Sequence, residues 1–188
     1  MVRLRAGSLL RLSCLALLSL CLLLPVTALG AQILRLDTKT WNCVPGGREV
    51  DAIYGDYLLR SNQLLAVVAD TVSDPFRMGN TMQPDARGML LDLTTRANNN
   101  DQLQAFLPAK GGQEVTYSQA EVITRSGPEV RLRVTHPATE AEPYLVETDY
   151  VLADNRPFVT IFTRVCNTSQ INLNWHVGDK LRTEGNFG

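Results

Sequence analysis

Tyr144-Leu-Val-Glu-Thr-Asp-Tyr-Val-Leu-Ala-Asp-Asn-Arg-Pro-Phe-Val-Thr-Ile-Phe-Thr-Arg-Val165 is the stretch that decides the fold. Tyr144, Val146, Tyr150 and Leu152 share one parity, while Glu147 and Asp149 take the other. Such period-two alternation describes an antiparallel strand with one face in a core and one in water. Asp154-Asn155-Arg156-Pro157 is a turn cluster, and Phe158 to Val165 then runs on in β-branched and aromatic residues. Immediately upstream, Val130, Leu132 and Val134 alternate in the same way with Arg131, Arg133 and Thr135. Helical spacing holds over no comparable stretch. The chain reads as all-β.

Working outward, further strands are expected at Asp56–Arg60 and Leu64–Ala69, flanking Ser61-Asn62-Gln63 as a hairpin connection. Met89–Thr95 runs into Asn98-Asn99-Asn100-Asp101, a strong loop signal. Gln102–Leu107 ends at Pro108, Val115–Thr124 closes at Ser126-Gly127-Pro128, and Ile171–Val177 is the last expected strand. Strands recurring about every ten residues with turn chemistry between them suit an antiparallel β-sandwich. Glu121, Arg131, Arg133, Glu147 and Asp149 then fall on the solvent side of three successive strands, with opposite charges facing each other. Asp70–Arg87 is the longest piece without periodicity, and loops of that kind on a sheet scaffold are where function tends to sit.

The first thirty residues have the order of a secretory signal peptide. Arg3, Arg5 and Arg11 precede an apolar run from Ser13 to Leu29, and Ala28 and Gly30 stand at −3 and −1 if cleavage falls before Ala31. Pro25, Thr27 and Gly30 interrupt the run that a membrane anchor needs, and neither Cys14 nor Cys21 has the surroundings of a lipid-modified cysteine. The expected product is a secreted or periplasmic domain, Ala31–Gly188, with no stable membrane span. The whole chain has 18 basic and 19 acidic residues, and three basic but no acidic ones lie in residues 1–30. The remainder is therefore acidic by four, which argues against a nucleic-acid partner. Cys43 and Cys166 remain after cleavage. They either pair, closing a long loop worth about 4 kcal/mol in the chain-entropy model, or stay as two separate thiols.

No recognised chemical motif stands out. His136 and His176 share no metal-ligand spacing, and there is no Cys-x-x-Cys, phosphate loop or nucleophile elbow. Asp70, Asp74, Asn80 and Asp85 crowd the long loop without the spacing of a calcium loop, so no metal or cofactor is called for. Trp41 with Tyr54 and Tyr57, and Trp175 late in the last expected strand, are candidates for a sugar-stacking surface, against the commoner role of tryptophan and tyrosine in core and rim packing.

Phe158-Val-Thr-Ile-Phe-Thr-Arg-Val-Cys-Asn-Thr-Ser-Gln-Ile-Asn-Leu-Asn-Trp-His176, with the preceding Asp154-Asn-Arg-Pro-Phe158, resembles the strand–Asn–turn–strand passage of the galactose-mutarotase-like β-supersandwich found in exported bacterial proteins. The resemblance covers roughly residues 120 to 180. It implies a concave sugar-binding face, and it makes His176 the counterpart of the histidine that serves the sugar ring oxygen. A full supersandwich is larger than this chain, so either a smaller sandwich or the first part of a longer protein is expected. The expected function is a non-catalytic domain that binds carbohydrate or cell-surface glycan, or is purely structural. The alternative is a sugar-active enzyme, epimerase-like or lyase-like, that uses His176 with Asp74 or Asp85. Oligomeric state is left open.

Overall fold

The computed structural model describes residues 30–46, 51–72, 86–97, 103–108, 115–176 and 178–183. Of the segment read as a signal peptide, residues 1–29 lie outside them. Among the described residues the regular structure is β1 (Ala31–Arg35), β2 (Tyr57–Arg60), β3 (Leu64–Val68), β4 (Leu90–Thr95), β5 (Leu103–Leu107), β6 (Gln119–Thr124), β7 (Ser126–Gly127), β8 (Glu129–His136), β9 (Tyr144–Ala153), β10 (Val159–Asn167) and β11 (Lys180–Thr183), plus one 3-10 turn, Trp41–Cys43. The strands form two antiparallel sheets, ordered β11-β5-β4-β3-β2-β1-β7 and β10-β9-β8-β6. Neither closes on itself, and the fold is an all-β sandwich. No helix among the described residues is long and apolar enough to cross a membrane.

The alternation read in the sequence fills the space between the sheets. Val130, Leu132 and Val134 of β8, with Val146, Tyr150 and Leu152 of β9, pack against Ile33, Leu59, Ala66, Val68 and Leu90 of the larger sheet. The other parity forms the outer face of the smaller sheet. There Arg133 donates to both oxygens of Asp149, from Nε at 2.7 Å and a terminal nitrogen at 2.9 Å. Arg131 lies 3.5 Å from the same carboxylate, and Arg164 Nε donates to Glu147 at 2.9 Å.

The larger sheet differs. β2 and β3 are buried on both faces, because Leu36, Cys43, Val44 and Ala52 lie over their outer side against Leu58, Leu65 and Val67. This explains why β3 reads as an unbroken apolar run with no parity. Two hydroxyl-bearing rings pin the core. Tyr150 donates to the Gly88 carbonyl at 2.7 Å, and Tyr117 meets Thr148 Oγ1 at 2.6 Å, which in turn meets Thr163 Oγ1 at 2.9 Å. Gly88 has φ +71°, and a Cβ built there would stand 2.8 Å from Tyr117 Cβ. Only glycine fits that position.

Three expectations need correcting. Ile171–His176 forms no strand, and the closing strand is β11, which pairs with β5. Ser126-Gly127 is a short strand on β1 as well as a turn, so the chain steps into the larger sheet and back between β6 and β8. The alternative that Cys43 and Cys166 form a disulfide is also set aside, because both thiols are free. Cys43 packs on the outer face of the larger sheet, whereas Cys166 sits on β10 at the rim of the smaller one, so a whole sheet lies between them.

Candidate functional site

Trp41 is presented by a turn that builds itself from local polar groups. Asp37 Oδ1 accepts from the backbone N–H of Lys39 at 2.8 Å and of Thr40 at 2.9 Å, and the Asp37 N–H donates to Thr40 Oγ1 at 2.9 Å. These bonds hold the Asp37 carboxyl below its ordinary range, chiefly through the Lys39 and Thr40 amides. The Trp41 N–H then bonds the Asp37 carbonyl at 3.0 Å, and Cys43 N–H bonds that of Thr40 at 2.9 Å. A locally closed Asx turn leads directly into the 3-10 turn.

The indole that results is 38% exposed and packs edge-to-face on Tyr54, itself 51% exposed, with centroids 4.9 Å apart and planes at 82°. Large aromatic residues are usually covered, so two of them packed together at the surface form an apolar platform open to a ligand. The next residues of the same turn, Asn42, Cys43 and Val44, line a surface pocket of about 280 Å³ with Arg60, Leu65 and Arg96. Arg60 donates to Cys43 Sγ at 3.4 Å and Arg96 to the Ser61 carbonyl at 3.2 Å. Among the described residues neither guanidinium makes an ion pair with a carboxylate. The pocket offers two guanidinium groups and an amide, and its Asn42 directly follows Trp41 in the chain, a combination suited to a polar, acidic ligand with an apolar face.

The other residues singled out from sequence are dispersed. Trp175 is half-buried and sits edge-to-face on Tyr144, with centroids 4.7 Å apart, and Tyr144 stacks in turn on His136 at 5.2 Å. His136 is buried, with Nδ1 2.9 Å from the Thr116 carbonyl. Its Nε2 stands 3.6 Å from Glu142, too far for a hydrogen bond, and among the described residues neither that nitrogen nor Trp175 Nε1 has a hydrogen-bond partner. His176, the next residue after Trp175, is exposed. Asp74 and Asp85 lie outside the described residues. No group of three His, Cys, Asp or Glu side chains is gathered in metal-binding fashion among the described residues.

One buried acidic pair escaped the sequence. Asp56 Oδ1 accepts the Asp70 N–H and Oδ2 the Ile53 N–H, each at 2.9 Å, while Arg35 forms an ion pair with Asp70 and lies over the Tyr57 ring. Burial pushes the Asp56 carboxyl up to about 6 against those two hydrogen bonds. A raised carboxyl can mark a reactive site. Here both of its oxygens already bind backbone amides that fix the end of β3 to the 53–56 turn, which makes it a brace. Tyr54 was a candidate for the aromatic surface and does pack on Trp41, whereas Arg60 and Arg96 escaped, since only the β2-β3-β4 pairing brings them to one pocket.

Comparisons with protein-family models, curated proteins and solved structures found no match. The resemblance to the galactose-mutarotase-like supersandwich therefore rests on the residues quoted for it.

Proposed function

We propose that this sandwich is an exported, non-catalytic carbohydrate-binding domain. The observation that carries the reading is the exposed Trp41–Tyr54 pair beside the Asn42, Arg60 and Arg96 pocket. A pyranose has one face of C–H groups and a rim of hydroxyls. The first suits the aromatic rings, and the second suits the amide and guanidinium donors. Two arginines without carboxylate partners among the described residues favour a sugar bearing a carboxylate or sulfate, which a guanidinium grips through two parallel hydrogen bonds. The mutarotase-like resemblance supports the same ligand class. The test is a glycan-array screen with the wild type, Trp41→Ala and His176→Ala. Saturable binding to acidic glycans is expected, weakened at least about tenfold by Trp41→Ala and unchanged by His176→Ala. Loss of binding in His176→Ala alone would favour the enzyme reading. Absence of binding by folded protein would leave a structural domain.

A further inference from the structure

β10 forms an open edge of the smaller sheet. It pairs with β9 through nine consecutive positions without a bulge, and among the described residues no strand pairs with its other side. Its inner row is poorly covered. Ile161 and Val165 are half-buried and Thr163 is exposed, although their neighbours on β9, Tyr150, Val146 and Thr148, are fully buried. On the outer row Phe162 is 58% exposed and the Arg164 side chain 64%. Within Val159–Asn167 there is no proline, no lysine and no inward charge, three devices that commonly blunt an edge.

We infer that β10 pairs antiparallel with β10 of a second copy of this chain, centred on Thr163. The strand is self-complementary about that residue. With Thr163 opposite its counterpart, Ile161 faces Val165 on the inner row, and on the outer row Phe162 faces Arg164. The first pair completes the apolar cover that one copy lacks. The second places a guanidinium against an aromatic face twice, once on each side of the two-fold axis. A register centred on Arg164 would set two guanidinium groups against each other, and one centred on Phe162 would set Ile161 against Thr163. The product is a continuous eight-stranded sheet, four strands from each copy, with the Trp41 platform on the far, larger sheet of each and both left free. Two glycan sites on one rigid dimer would bind a polymeric glycan by avidity. That last consequence rests on the carbohydrate reading, whereas the pairing does not.

Sedimentation of the protein obtained from the full chain should show a dimer that dissociates on dilution. Phe162→Lys should weaken it at least about tenfold, by setting a second cation against Arg164 in place of the aromatic ring. Phe162 is exposed, so circular dichroism of that variant should match the wild type. In a background with Cys43→Ser and Cys166→Ser, Thr163→Cys should cross-link on oxidation faster than Thr160→Cys, since only position 163 meets itself across the axis. A monomer at all concentrations up to about 100 µM would overturn the proposal. So would a dimer indifferent to Phe162→Lys, or cross-linking in which Thr163→Cys has no advantage. None of these readings depends on glycan binding.

Discussion

At the scale of single residues, Gly88 and Asp56 carry the most specific burdens. Gly88 combines a left-handed backbone with a carbonyl that receives Tyr150 and a face closed by the Tyr117 ring. Gly88→Ala should lower unfolding stability by roughly 2–4 kcal/mol, from backbone strain plus overpacking, as read by urea denaturation. Asp56 has its carboxyl raised from 3.8 to about 6 by burial. Between those values the folded state keeps a proton that the unfolded chain releases. Stability should therefore fall as pH rises from about 4 to 6 and level off above that, with a total on the order of 3 kcal/mol. Asp56→Asn should flatten that slope, and a denaturation midpoint that still falls across the same window would assign it to another group. Neither burden was visible in the chain itself. Tyr117 and Tyr150 close on Gly88 from 29 and 62 positions away, and the Asp56 carboxyl is enclosed only once the 53–56 turn meets Asp70.

At the scale of elements, β8 and β9 were legible because each has one face in the core and charged groups along the other, although Asp149, Val151 and Ala153 on the outer face of β9 are covered as well. Their two parities carry different chemistry, and Glu121, Arg131, Arg133 and Glu147 reach solvent on the outer face, while Asp149 on the same face is buried under its arginine partners. β3 was legible only as an apolar run, since Leu36, Val44 and Ala52 cover its outer face too. Ile171–Val177 misled because Ile171, Leu173 and Trp175 alternate with Asn172, Asn174 and His176 as a strand does. Instead Asn167 and Ser169 tie a turn at its start, with Asn167 Nδ2 donating to the Ile171 carbonyl at 2.7 Å, and Trp175 settles on Tyr144. β11 was missed because a four-residue strand of mixed polarity has no readable period. A double-mutant cycle on Arg133→Ala and Asp149→Ala should give a coupling of about 0.5–1 kcal/mol that shrinks in high salt, because a part-exposed guanidinium here meets a largely covered carboxylate across neighbouring strands. A coupling near zero would make the charged face a solvated surface without a part in register.

At the scale of the whole molecule, one sandwich holds an apolar core between two unequal sheets and directs its distinct surfaces apart. The larger sheet bears the aromatic platform and its arginine pocket on the outer side, and the smaller sheet bears a charge ladder and an open edge. Trp41 was legible as a candidate because an aromatic residue in a polar turn is conspicuous. Tyr54 was legible as a nearby aromatic candidate, but the arginines were not, since Arg60 and Arg96 reach the Asn42–Val44 turn only through the fold. The chain has two tryptophans, so its indole N–H spectrum offers two resonances that report on the two sides of the account. The most direct measurement is a nitrogen-15 correlation spectrum during titration with an acidic oligosaccharide, the peaks assigned with Trp41→Phe. The Trp41 indole resonance should move saturably while that of Trp175, packed on Tyr144, stays in place. Movement of Trp175 with Trp41 unmoved, or no movement at saturating sugar, would contradict the proposed site.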